Sequence, residues 1–389
     1  MDAMTSINDQ LARLAAFEPA PYPVISLYLN TQSDGRGRDR FQTFVRKELK
    51  ARAQTYPPRS SEREMLERDL GRIGRYLEND VRPSANGVAI FACDAGQLFE
   101  TVQLEAPFGE NWLYIGDQPH LYPLARAASQ YPRYAVVLAD TYRTRILVVA
   151  HGGIANDLPI EGVKTRRTAQ GGSSQARYQR HVENYHLQHV KEVVDALERI
   201  VAREGIEQII ISGDEVAVPL LREHLPKPLA DRIIDRMTVD AAARQDDVLA
   251  AAMGSFRDAD ARTDREKVDA AVDAYRAGGL GVAGPDATLL AITNGQVDEL
   301  LIAASLAKIG GLKRSPAAEM AVANDETIAA PAVAPSMAGE PSAADAGTVR
   351  LADGLVTKAH QTGARICFIE DTSLLESYGG VAATLRYRI

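Results

Sequence analysis

The chain has 389 residues, of which 46% are hydrophobic and 25% charged, and its formal net charge is −8. This length predicts two or three domains, and the composition is typical of globular protein. No stretch reaches the ~18–20 apolar residues that a membrane helix needs, and residues 1–18 lack the apolar core of a signal peptide. The two cysteines, Cys93 and Cys367, provide neither a disulfide framework nor a CxxC zinc site. We therefore expect a cytoplasmic protein.

The first part of the chain predicts an α/β domain over residues 1–132. Short apolar, β-rich runs predict strands, and longer amphipathic stretches predict helices. In chain order the predicted elements are a strand at 24–29, helices at 40–54 and 61–79, and a strand at 87–93. Ser61 and Glu64 have the spacing of a capping box at the start of the second helix.

The next part predicts a second α/β domain over residues 133–240. Two apolar runs, YAVVLAD and RILVVA, are joined by a short turn and predict a β-hairpin. A basic, glycine-containing loop at about 155–175 precedes a long helix at 175–204, and Gly205 stands where a C-cap glycine belongs. The β-branched run IEQIIIS and a further helical segment complete the domain.

The remainder, residues 241–389, predicts a third α/β domain. It opens with a charged helical stretch and continues as helix, turn and strand around Asn294-Gly295. A helix, the strand ARICFIE, a further helix and the strand ATLRYRI follow. Residues 314–347 are rich in alanine and proline and hold few large apolar side chains, so they predict a disordered insertion in this domain.

Three segments resemble the class I release factor/Pelota superfamily of archaea and eukaryotes. VISLYL resembles its first strand, and GGSSQARYQR resembles its Gly-Gly-Gln segment: Gly171-Gly172 match the two glycines and Arg177-Tyr178 match an Arg-Phe pair. ESYGGVAATLRY resembles the family's Phe-Gly-Gly-Ile-Ala-Ala-Ile-Leu-Arg-Tyr ending, and LAITNGQVDELLIA resembles an upstream segment. The resemblance is closest to the bacterial branch. It implies three α/β domains, the third similar to kink-turn-binding ribosomal proteins.

The stretch 162–182 has the composition that a loop reaching peptidyl-tRNA needs. It contains no acidic residue, and its basic residues provide charge to pass among phosphates. These residues, predicted to bind RNA, are Lys164, Arg166, Arg167, Arg177 and Arg180. Glycines let the backbone approach RNA closely, and a small polar tip can orient water or stabilise an oxyanion.

The loop departs from the family at the position of the catalytic glutamine. In release factors glutamine directly follows the two glycines, whereas here Ser173 follows them and the glutamine is displaced to Gln175. The predicted catalytic residues are Gly171, Gly172 and Gln175, with Gln175 acting from a longer loop tip. Two alternatives stay open: the loop binds without hydrolysis, or it is a surface loop in which Ser173 or Ser174 caps the following helix.

A second basic cluster lies near the N-terminus, where release factors carry their stop-codon-reading elements. Neither the Asn-Ile-Lys-Ser motif nor the Tyr-x-Cys motif is present, so we expect contact with ribosomal RNA, through Arg36, Arg38 and Arg40 above all, rather than codon reading. The alternative is a solvated helix face of mixed charge. The full cluster is Arg36, Arg38, Arg40, Arg46, Lys47, Lys50 and Arg52.

Three histidines, His181, His186 and His189, fall on the long predicted helix. Their spacing does not give the i, i+4 pair of an HExxH zinc site, and we interpret them as helix-surface residues. No metal or organic cofactor is implied.

The resemblance implies a ribosome-associated translation factor acting at the aminoacyl site on peptidyl-tRNA. The first hypothesis is a peptidyl-tRNA hydrolase used in termination or ribosome rescue. The alternative is a non-catalytic hibernation factor that occupies the aminoacyl site, and a weaker one is cleavage of tRNA near its acceptor end. Besides the ribosome and tRNA, the third domain would recruit a translational GTPase such as elongation factor Tu. No membrane partner is expected.

Overall fold

The structure is a computed structural model, and it describes residues 7–18, 22–33, 40–140, 143–161, 175–310, 336–338 and 346–388. Side chains are described in these ranges except at 40, 175–184, 336–338 and 346. The fold is mixed α/β with three sheets. Two compact units are formed: Met1–Gln130 together with Asp264–Ile389, and Tyr131–Thr263, which we name the middle unit. We name residues 7–130 together with Ser336–Ala338 the first lobe, and the other described residues of 264–388 the third lobe.

The first lobe is built on a five-stranded antiparallel sheet, with strand order β12-β4-β1-β2-β3. Its strands are β1 (Val24–Asn30), β2 (Gly87–Cys93), β3 (Leu98–Leu104), β4 (Trp112–Gly116) and β12 (Ser336–Ala338). Its helices are α1 (Ile7–Ala15), α2 (Arg40–Ala53), α3 (Ser61–Asn79) and α4 (Tyr122–Gln130). The two predicted strands and two predicted helices are confirmed, whereas α1, β3, β4 and α4 were not predicted.

Helices α2 and α3 cover one face of this sheet. Phe41, Val45 and Leu49 recur every four residues along α2 and are buried against the strands, as an amphipathic helix requires. The predicted capping box at the start of α3 is wrong. Ser60 is the N-cap: its backbone is extended, and its hydroxyl accepts a 3.2 Å hydrogen bond from the Arg63 amide. Ser61 is already helical and cannot take that role.

The third lobe contains a four-stranded mixed sheet, with order β10-β14-β11-β13. Its strands are β10 (Gly281–Ala283), β11 (Val297–Ala303), β13 (Arg365–Ile369) and β14 (Val381–Leu385). Its helices are α9 (Pro285–Thr293), α10 (Ala346–Thr362) and the end of α8 (Gln245–Arg276). The predicted turn between α9 and β11 is confirmed, because Gly295 has φ +69°, a left-handed conformation that glycine adopts readily.

The first and third lobes share one hydrophobic core. Leu11 of α1 and Leu124 of α4 belong to the same buried cluster as Leu300 of β11 and Leu355 of α10. Polar contacts accompany this packing: the Tyr122 hydroxyl donates a 2.6 Å hydrogen bond to the Ala303 carbonyl. Residues from opposite ends of the sequence therefore fold together.

The middle unit has a five-stranded sheet, with order β7-β6-β5-β8-β9. Its strands are β5 (Tyr134–Ala139), β6 (Arg143–Ala150), β7 (Gly153–Glu161), β8 (Ile209–Gly213) and β9 (Ile233–Met237). Its helices are α5 (Gln175–Glu204), α6 (Ala217–His224), α7 (Lys227–Ala230) and the start of α8. The β5–β6 hairpin, the long helix and its C-cap Gly205, with φ +62°, are confirmed. Strand β7 was not predicted and includes the start of the predicted basic loop.

The predicted disordered insertion falls mostly outside the described residues. Within it, Ser336–Ala338 forms β12, which pairs with β4 so that Ser336 lies opposite Ile115. This pairing differs from the predicted disorder, since a strand edge binds a neighbour through backbone groups and does not require large apolar side chains. Helix α10 begins at Ala346.

Across the described part of the chain, no helix has the combined length and apolarity to span a membrane.

Candidate functional site

The predicted catalytic and RNA-binding residues of the middle unit follow β7 and extend into the first two turns of α5. Five of them, Lys164, Arg166, Arg167, Gly171 and Gly172, lie outside the described residues. The other three, Gln175, Arg177 and Arg180, are in the first two turns of α5, for which only the helical backbone is described. Their predicted roles stay predictions.

Two elements bound this segment. Strand β7 leads into it and is the edge strand of the middle sheet, paired with β6. Helix α5 leads out of it and is 30 residues long. Among the described side chains of α5, burial begins at His189 and Val190. Gln175, the first residue of the helix, lies 14 residues before His189, which is about 20 Å along the helix axis.

His189 holds α5 against β6. It is only 6% exposed, and its Nε2 is 3.1 Å from the hydroxyl of Thr144, which is 2% exposed. Burial places the pKa of His189 below its ordinary value, and His186 lowers it further while Glu192 and Asp140 oppose the shift. The prediction of a surface position is wrong for His189, because the helix turns this residue toward the sheet. His186 is partly buried, and the side chain of His181 lies outside the described residues.

Arg145 holds β7 against β6 and against the chain that precedes α8. Its guanidinium donates to both carboxylate oxygens of Asp157, at 2.6 and 3.3 Å, and to the carbonyls of Ala243 and Ala241, at 2.8 and 3.2 Å. Gln245 also donates to Asp157, at 2.9 Å. The hydrogen bonds from Arg145 lower the pKa of Asp157, against the effect of burial. This is a bidentate, charge-assisted contact of the stronger kind.

Sequence reasoning missed Thr144, Arg145 and Asp157. The available signal was positional: Arg145 opens the apolar run RILVVA, where a charged side chain in a covered sheet requires a partner. The partner Asp157 was not identified because its segment was interpreted as loop.

The second basic cluster is only partly described. Arg36 and Arg38 lie outside the described residues, and Arg40 begins α2 with its side chain outside them. The described residues Arg46, Lys47 and Lys50 are exposed, on the face of α2 opposite its buried apolar side chains. Lys47 forms a 3.4 Å ion pair with Glu48. This outer face of α2 is basic and accessible to a polyanion.

In the described ranges, no three His, Cys, Asp or Glu side chains are placed together as ligands of a metal ion.

Residues 119–257 match the family model "Bacterial archaeo-eukaryotic release factor family 10". The match covers nearly all of the middle unit, including β7, α5 and the segment between them. Over these residues the chain is similar to the bacterial branch of the archaeo-eukaryotic release factor superfamily.

The chain is also similar to individual proteins. It is 23% identical to YocB of Bacillus subtilis (strain 168) over 243 residues, which are 59% of this chain and 92% of YocB. It is similar to ribosome-bound archaeal Pelota, with 13% identity, a TM-score of 0.42 and coverage of 99% and 95% of the two chains. It is similar to the archaeal translation termination factor aRF1, with 15% identity, a TM-score of 0.25 and 98% coverage of both. The similarity to release factors rests on the family model, which covers residues 119–257.

Proposed function

We propose that this protein acts in the aminoacyl site of the ribosome, where segment 162–182 approaches peptidyl-tRNA and promotes release of the nascent peptide in termination or rescue. One observation carries the proposal: in the unit that matches the family model, a basic, glycine-containing segment without acidic residues joins an edge strand to a 30-residue helix. The chain as a whole is acidic, with a net charge of −8, so this concentration of positive charge favours RNA as the ligand.

The chemistry requires water to attack the ester that joins peptide to tRNA. Gly171 and Gly172 would shape the loop, and Gln175 would orient the water or stabilise the developing oxyanion. The first turn of α5 would add backbone N–H groups and the positive end of the helix dipole, both of which favour negative charge. The ester bond breaks as the water adds, and the tRNA hydroxyl leaves with a proton. Lys164, Arg166 and Arg167 would neutralise nearby phosphates.

The remaining parts of the chain would hold the protein on the ribosome. The outer face of α2, with the preceding Arg36 and Arg38, would contact ribosomal RNA without reading a codon. The third lobe would recruit a translational GTPase, elongation factor Tu being the candidate. In this proposal the protein acts through three domains, residues 1–132, 133–240 and 241–389.

A second candidate function is occupancy of the aminoacyl site without chemistry, as in hibernation. It is favoured by Ser173, which stands where release factors have their catalytic glutamine, and by the missing codon-reading motifs. The two functions share the same binding site and differ only in whether the ester is hydrolysed.

Peptide release distinguishes the two. Ribosomes carrying labelled peptidyl-tRNA and an empty aminoacyl site would be mixed with the parent protein, with Gln175→Ala and with Gln188→Ala. Gln188 is the matched control, since it is an exposed glutamine on the same helix. Release by the parent and the control, but not by Gln175→Ala, supports the hydrolase. Ribosome binding without release supports occupancy, a shortened tRNA indicates cleavage, and no binding contradicts all three.

A further inference from the structure

Two consecutive residues of β6, Thr144 and Arg145, project to opposite faces of the middle sheet. Successive side chains of a strand alternate between faces. Ile146 and Val148, which share the face of Thr144, belong to the cluster formed with α5 and α6. Leu147 and Val149, on the face of Arg145, belong to the cluster formed with the start of α8.

On the first face, Thr144 contacts His189 of α5. His189 is the first buried residue among the described side chains of that helix. The hydroxyl lies 3.1 Å from Nε2 of His189, and both residues are buried. The Nδ1 atom of His189 is buried too and has no hydrogen-bond partner among the described residues. The contact with Thr144 is thus the polar contact that fixes the rotation of this imidazole. Losing it would leave a buried polar ring unsatisfied, which is costly.

On the second face, Arg145 bonds to β7. Its guanidinium Nε and Nη2 atoms donate hydrogen bonds to the carboxylate of Asp157, and Nη1 donates to the carbonyls of Ala241 and Ala243. Asp157 lies opposite Leu147 in the β6–β7 pairing, four residues before β7 ends at Glu161. Among the described strands, β7 lies at the edge of the sheet and pairs with β6, and this side-chain clamp supplements the backbone hydrogen bonds of that pairing.

We infer that Thr144 and Arg145 are positioning residues that together fix the separation of α5 and β7, the two elements that bound residues 162–174. Thr144 contacts α5, and Arg145 contacts β7. Because the two residues are adjacent on β6, both elements are held to the same strand. Whether this separation matters on the ribosome rests on the proposed function. That Thr144 and Arg145 set the separation of α5 and β7 does not depend on the proposed function.

The separation can be measured in the full-length protein without a ribosome. Spin labels at Leu158→Cys on β7 and Lys191→Cys on α5 report the distance between the two elements. Both native cysteines are buried and should not react with the spin label, so they need not be replaced. The test variants are Thr144→Val, which keeps the side-chain shape, and Arg145→Met, which keeps an unbranched stem. Arg143→Met is the matched control, since Arg143 is exposed on the same strand.

The inference predicts one narrow distance distribution for the parent and for Arg143→Met, and a broadened or shifted one for each test variant. Thr144→Ser, which restores a hydroxyl, should restore the narrow distribution. An unchanged distribution in Thr144→Val or in Arg145→Met, with folding verified by circular dichroism, overturns the inference. So does failure of Thr144→Ser to rescue, because then side-chain volume and not the hydrogen bond is responsible.

A second measurement connects the positioning role to function. If the parent releases peptide, both test variants should bind ribosomes with parental affinity while the release rate falls roughly tenfold to a hundredfold, as expected for misplacement of a reacting group. Equal loss of binding and release would instead indicate general destabilisation and contradict the positioning role. If the parent releases nothing, the proposed hydrolase is wrong, and the distance measurement still decides the inference.

Discussion

The carboxylate of Asp353, in the third lobe, binds His120, in the first lobe, with 2.7 Å between Oδ2 and Nδ1. The other carboxylate oxygen accepts the backbone N–H groups of Leu121 and Tyr122, each at 3.0 Å. His120 is fully buried. Helix α4 is thus capped by a side chain from more than two hundred residues further along the chain, and the cap also fixes the histidine that precedes the helix.

Replacing Asp353 should destabilise the unit formed by the first and third lobes. Asp353→Ala removes an N-cap and leaves the buried His120 without its carboxylate, which predicts a loss of about 3–5 kcal/mol in the free energy of unfolding. Urea denaturation followed by the fluorescence of Trp112, which stacks on His120, would measure it. The control is Asp117→Ala, whose exposed carboxylate lies 3.8 Å from Arg350. A change no larger than that of the control would contradict the capping role.

The stability of the first lobe should fall with rising pH because of Asp69. Burial raises the pKa of this carboxyl from 3.8 to about 6, with the charge of Asp94 adding to the shift. A raised pKa means that the fold prefers the protonated form. The contribution of Asp69 to the free energy of unfolding is therefore fully present below pH 3.8 and is lost as the pH rises through about 6.

The variant Asp69→Asn should remove this loss. It keeps an oxygen to accept the amide of Asp94, 3.0 Å away in the parent, and it stays neutral at every pH. The measurement is the free energy of unfolding at pH 4.5 and pH 7.5. The parent should lose stability between the two values and Asp69→Asn should lose less, while Glu78→Gln, an exposed change on the same helix, should behave as the parent. Identical pH dependence in the parent and Asp69→Asn would refute the assignment.

Neither cysteine should react with thiol reagents in the folded protein. Burial raises the pKa of Cys367 well above its ordinary value, although the charge of Lys267 opposes the shift, and the thiol donates a 3.2 Å hydrogen bond to Asp264. Burial raises the pKa of Cys93 in the same way. Since the thiolate is the reactive species, iodoacetamide at pH 8 should modify both only after unfolding. Rapid modification of either in the native state, measured by mass spectrometry, would show that its burial is not maintained.

The outer face of α2 should contribute to ribosome binding through charge alone. The double variant Arg46→Glu with Lys50→Glu replaces two exposed cations and should reduce the slope of log affinity against log salt by about two. Arg75→Glu, an exposed change on α3, serves as the control. If the double variant and the control bind ribosomes equally at every salt concentration, the face is a solvated surface.

Local patterns were enough to predict many of the elements. Apolar β-branched runs predicted β1, β2 and β8, and helical periodicity predicted α2, α3 and α5, because each element carries its own burial pattern. Strand β7 was missed because Asp157 and Pro159 are typical of loops, and an edge strand tolerates them. Ser60 was missed because helix boundaries depend on one residue's backbone conformation.

Long-range contacts were beyond prediction from one sequence. The pairing of His120 with Asp353 joins two lobes, and nothing near either residue indicates the other. We predicted that His189 lies on the helix surface, because nothing in the sequence around it indicates its partner. That partner, Thr144, is 45 residues earlier in the chain. The predicted catalytic residues rest on a motif, and their geometry is outside the described residues.

Binding to ribosomes with an empty or a filled aminoacyl site would show whether this protein occupies that site. The full-length protein would be sedimented with ribosomes that hold peptidyl-tRNA, with and without a tRNA occupying the aminoacyl site. We predict tight binding to the empty site and loss of binding when the site is filled, whether or not the ester is hydrolysed. Equal binding in both cases, or none in either, would contradict it.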